Sequence, residues 1–140
     1  MRGARVVRGW SLILLTGWLV ACASETSRTP AVTVPITDFK SVAGVWEGAW
    51  EGPTDRTDSD WLKLTIRPDG RWEAESFRMI GVFRSSGQLT LAGGMITFQG
   101  ERGGTGSASL VESGNKRWLN LQAVTSRGVH VTARMTPSGN

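Results

Sequence analysis

The chain has one cysteine, one histidine and no tyrosine among its 140 residues. A lone cysteine excludes a disulfide within the chain, so an exported domain of this kind must hold itself by its core. A lone histidine excludes a multi-histidine metal site and a histidine-centred triad: His130 lies between Val129 and Val131, which read as inward, and so alternates outward. No apolar run reaches the ~20 residues that a membrane-spanning helix needs. The longest uncharged stretch with apolar character is Trp10 to Ala21.

Clustered charge is also missing. The whole chain carries a formal +4, but Arg2, Arg5 and Arg8 precede Cys22 and all 12 acidic residues follow it. Subtracting those three from 16 leaves 13 basic against 12 acidic side chains, a net of +1. The remaining arginines are scattered from Arg28 to Arg134, which is no electrostatic footprint for nucleic acid.

What is present begins with an address. Three arginines, then Trp10 to Ala21 without a charge, then a small residue form the pattern of a secretory signal over residues 1–21. Leu19-Val20-Ala21-Cys22 resembles the bacterial lipobox. The resemblance implies a diacylglycerol on the Cys22 thiol, cleavage before it and acylation of the new amino group. Each buried methylene adds ~0.8 kcal/mol, and two or more chains make a stable membrane anchor. Ala23 rather than Asp follows the cysteine; by the enteric sorting pattern this implies an envelope protein of the outer membrane, facing the periplasm.

Residues 22–36 are rich in Ser, Thr and Pro and read as the lipidated N-terminus and a flexible tether. Thr37 to Gly44 predicts a short helical turn: Thr37 caps it, Phe39, Val42 and Ala43 share a face, and Gly44 ends it. From Gly44 onward the period is two. Trp46 and Trp50 face in, with Glu47 and Glu51 out. Leu62, Leu64 and Ile66 face in, then Trp72, Ala74 and Ser76 after the turn Pro68-Asp69-Gly70. Met79 to Phe83 reads as a strand of undefined phase. Leu89 and Leu91, Ile96 and Phe98, Ala108 and Leu110, and Leu119 and Leu121 mark four more. Val129, Val131, Ala133 and Met135 close the series, with Arg134 outside. The expected fold is all-β: an antiparallel up-and-down barrel of about eight strands over residues 37–136, with 137–140 as a tail. An open sandwich is the competing architecture.

Gly44-Val45-Trp46 after a short helical turn resembles the start of the lipocalin and calycin barrels. Gly70, Ser86-Gly87-x-Leu89 and Gly94-x-Ile96 are similar to small bacterial lipocalin-like domains. The resemblance implies a basic residue near the end of the last strand packed over the first-strand tryptophan, and Arg134 is the match.

Little here reads as chemistry. Glu73 and Glu75 share a face with Arg71 and form a charge ladder rather than an acid–base pair. Asp55, Asp58 and Asp60 miss the calcium-loop spacing. Gly103, Gly104 and Gly106 open no helix and serve a turn. No enzyme, cofactor or metal site is expected.

The tryptophans remain. Trp46, Trp50 and Trp72, together with Leu64, Phe98, Leu121 and Val131, are the candidate interior. They either fill the barrel or line a site for a small hydrophobic or amphipathic ligand. Trp61 and Trp118 face out and are candidates for contact with an envelope protein. The second reading is thus an interaction module with a filled core, such as an assembly factor or hydrolase inhibitor. Barrel lipoproteins that inhibit lysozyme use Ser-Gly-x-x-Tyr; this chain has Ser113-Gly114-Asn115-Lys116 and no tyrosine to complete it.

Replacing Cys22→Ser should abolish lipid incorporation. The check is labelling with a fatty-acid analogue in a bacterial host, where label retained on the variant would refute the lipobox reading.

Overall fold

A computed structural model describes residues 29–52, 60–78 and 81–139; Cys22, Asp55, Asp58 and Met79-Ile80 lie outside this set. The elements are β1 (Val32–Val34), a 3-10 helix (Phe39–Val42), β2 (Gly44–Glu51), β3 (Asp60–Ile66), β4 (Arg71–Arg78), β5 (Gly81–Ala92), β6 (Met95–Gly100), β7 (Thr105–Ser113), β8 (Lys116–Val124) and β9 (His130–Pro137). From β2 to β9 each strand pairs antiparallel with the next, and β9 pairs back onto β2. The fold is therefore a closed eight-stranded barrel with one extra strand. Closure removes the raw edges that an open meander would leave, which rules out the sandwich.

Alternation produces this shape directly. Trp46, Leu64, Ile66, Trp72, Leu89, Ile96, Phe98, Leu119, Leu121, Val131 and Met135 are all buried, while their neighbours point outward. Each large side chain so buried contributes ~1.5–3 kcal/mol. Two-residue turns hold the register: Ala92 faces Met95 across Gly93-Gly94, whose φ angles of 59° and 77° suit the twist of a tight hairpin.

Several boundaries differ from the sequence reading. The expected tether ends early, because Val32–Val34 is a strand on β7 and Ile36 is buried. The cause is an overhang. β6 covers β7 only over Thr105–Ala108, and β1 takes the bare backbone at Leu110–Glu112. The Ile36 amide then donates to the Gly94 carbonyl at 2.9 Å. Asp38, not Thr37, caps the 3-10 helix by accepting from the Ser41 amide at 2.8 Å. From Gly81 on, the strand expected at Met79–Phe83 and the one expected at Leu89–Leu91 are one long strand, β5, continuous because β4 templates it from Arg71 to Arg78. Val129 precedes β9 and is exposed. The tail also starts later: β9 runs through Pro137, and the Ser138 amide donates to the Val45 carbonyl at 2.8 Å.

Two glycines permit close backbone approach. A Cβ at Gly48 would fall on the Arg134 carbonyl oxygen at the β2–β9 seam, and one at Gly87 on the Gln99 carbonyl oxygen. Gly48→Ala and Gly87→Ala should each cost ~3 kcal/mol or more, since backbone must move to admit the methyl. Urea midpoints are the measure; an unshifted Gly48→Ala midpoint would contradict the seam.

Candidate functional site

The two ends of the barrel differ. One is covered. Val42 and Ile36 press into the core beneath the 3-10 helix, and Phe39 packs at its side. Trp46 plugs this end at 2% exposure, and its indole N–H donates to the Val42 carbonyl at 2.8 Å. A buried tryptophan needs such an acceptor, and the helix supplies it four residues upstream.

A guanidinium completes the plug, but it is not the expected one. Arg117 of β8 lies over the Trp46 ring at 5.2 Å from its centroid and donates to the Ser41 carbonyl. Arg134 instead stays outside, as alternation required, and stacks over Trp118 at 4.0 Å. The cation over Trp46 is therefore Arg117 of β8 and not Arg134 of the last strand. The signal was available: Arg117 has the same parity as Leu119 and Leu121, so period two places it inward.

Among the described residues, nothing caps the other end. Trp50, Leu62, Ala74, Ser76 and Ala123 have inward parity yet are only half-buried there. Phe83 and Ser85 face Ser76 and Ala74 in register and are exposed. The wall is low on this side because β6 ends at Gly100 opposite Gly87, while β5 extends back to Gly81. Trp72 and Phe98 meet edge to face below the rim, with centroids 5.4 Å apart and planes at 84°. Of the predicted interior set, Trp46, Leu64, Trp72, Phe98, Leu121 and Val131 are core, and Trp50 alone reaches partly into solvent.

The exterior has two characters. Across β6 to β9 runs a groove of about 750 Å³, floored by the backbone at Phe98, Gly106, Ala123 and Val131. Thr97, Ser107, Gln122 and Thr132 form one wall; Gln99, Thr105 and the exposed His130 help form the other. Its lining holds no Asp, Glu, Lys or Arg. The β2–β5 side carries Glu47, Lys63, Glu75 and Arg84 in one registered row, with Arg84 bound to Glu75 at 2.8 Å. Above that row Trp61 is 46% exposed. Trp118 is half-buried, under Arg134 and across from the buried Val111. Of the two predicted surface tryptophans, Trp61 is thus the open one.

Among the described residues, no three of His, Cys, Asp and Glu gather in a metal-binding group, and no helix is long and apolar enough to cross a membrane. No family model, curated protein or solved structure matches this chain.

Arg117→Ala should cost about 2 kcal/mol, losing both the stacked cation and the carbonyl contact. Arg134→Ala should cost ~0.5 kcal/mol, because its stack is at the surface. Chemical unfolding of both variants checks the ranking, and a larger loss at Arg134 would reverse the assignment.

Proposed function

We propose that this chain is a lipid-anchored envelope protein whose barrel takes a small hydrophobic or amphipathic ligand at its open mouth. The observation that carries this reading is the gradient inside the barrel. Inward residues are dry beneath the 3-10 helix and become partly wet at the other rim, where Trp50, Leu62 and Phe83 remain apolar. Partly exposed apolar side chains of inward parity are what a ligand with an aliphatic portion would cover. The packed lower half limits the site to a shallow one.

The N-terminus supports the orientation. The Ser113 hydroxyl donates to the Thr29 carbonyl, beside the β7–β8 turn at the covered end. Residues 22 to 28 span at most ~24 Å. On this reading the tether joins the barrel at its covered end, which lets the mouth face away from the bilayer. The ligand would be exchanged with the periplasmic side rather than with the lipid leaflet below.

A second reading is favoured by a different observation. Trp61, Phe77 and Val82 form an exposed apolar row on the outer face, which suits a protein-interaction module whether or not the mouth is used.

Titrating the purified protein with a lysophospholipid should give a saturable change in tryptophan emission. Leu62→Arg should weaken it about tenfold while leaving a cooperative melt. An emission spectrum unmoved by lysophospholipid at any concentration would remove the ligand reading.

A further inference from the structure

We infer that the outer face of β2–β5 is a self-association surface, and that its occupant is a second copy of this chain. This rests on the interaction reading above and names its partner. Ala49, Trp61, Phe77 and Val82 are opposite one another in register across the four strands. Trp61, Phe77 and Val82 are 46%, 41% and 51% exposed. One exposed apolar residue is ordinary; an aligned row including two aromatics is not. Immediately beside it lies the second row, Glu47, Lys63, Glu75 and Arg84, also in register.

The order of these rows selects the partner. The charges alternate minus, plus, minus, plus. A two-fold axis running along the strands sets two copies face to face and reverses the order of each row. Glu47 then faces Arg84 of the second copy, and Lys63 faces Glu75. Ala49 meets Val82, small against small, and Trp61 meets Phe77. Every contact pairs opposite charges or apolar with apolar, as a self-complementary isologous interface demands. A row with one sign would oppose itself.

The same axis keeps the covered ends of both barrels on one side, so both anchors can enter one membrane. The bilayer itself is a poorer occupant. β3 and β4 lie across the barrel from β7 and β8, their Trp61 and Phe77 sit toward the rim away from Thr29, and ~24 Å of tether does not bring these to the anchoring leaflet. Two rows over four strands, ~4.8 Å apart, cover less than the ~800 Å² per partner of a standard interface. Association is therefore weak in solution and depends on the high effective concentration of copies tethered to one surface.

The test uses the full chain, expressed in a bacterium as two differently tagged copies with a photo-crosslinking amino acid at Val82. Irradiation should give an adduct of twice the chain mass carrying both tags. In K63E/R84E the row is all acidic, and in E47K/E75K all basic; each variant alone should lose the adduct by about tenfold or more through like-charge opposition. Co-expressed, the two should recover a mixed adduct, which a pair of misfolded variants could not do. No doubly tagged adduct from the parent chain, or no mixed recovery, overturns the inference. Adducts joining position 82 only to other envelope proteins also overturn it, while leaving the broader interaction reading intact.

Discussion

Closure of the sheet between β2 and β9 is the constraint on which the rest of the molecule depends. Eight strands enclose an interior only wide enough for side chains or one small ligand. The seam works because Gly48 lets the Arg134 carbonyl come close. Once closed, the barrel has two rims, and each needs a solution. At one rim the chain lays a 3-10 helix over the opening and fixes it through Trp46 to the Val42 carbonyl and Arg117 to the Ser41 carbonyl. At the other rim the strands end at unequal heights, and apolar residues of inward parity stay partly wet.

That asymmetry ties packing to function. A barrel plugged at both ends offers only its outside; one open throughout gives a deep cavity. This one has a dry half that holds it together without a disulfide and a wet half available for contact. Its outside divides as well. An uncharged hydroxyl and amide surface lies over β6–β9, and an alternating charged row beside exposed aromatics lies over β2–β5. Covering the first costs little charge desolvation. Covering the second requires a surface that returns opposite charges in the same order.

Much of this was legible in the residues. Alternation from Trp46 to Glu51, from Leu62 to Ile66 and from Leu119 to Ala123 assigned the inward faces, because a half-buried strand has no other way to satisfy both solvents. The turns at Pro68-Asp69-Gly70, Gly93-Gly94 and Ser113-Gly114-Asn115 divided the strands. Val32–Val34 was hidden in a Pro- and Thr-rich stretch too short to show a period, and its pairing depends on how far β7 outruns β6. β5 looked like two strands because its middle, Ser85 to Gly87, carries no apolar residue. Arg134 was expected over Trp46 by likeness to other barrels, whereas parity already separated it from Arg117.

The sequence alone determined local periodicity: which residues alternate inward, where the chain turns, and that Cys22 follows an uncharged apolar run. These follow from neighbours a few positions apart, whose preferences need no distant partner. Only the tertiary structure decided which strand ends stand above their neighbours, which cation caps the tryptophan, and which outward residues fall into common rows. Those depend on register between strands far apart in the chain. A shift of two residues in register would leave every inward and outward assignment unchanged while placing different side chains opposite one another.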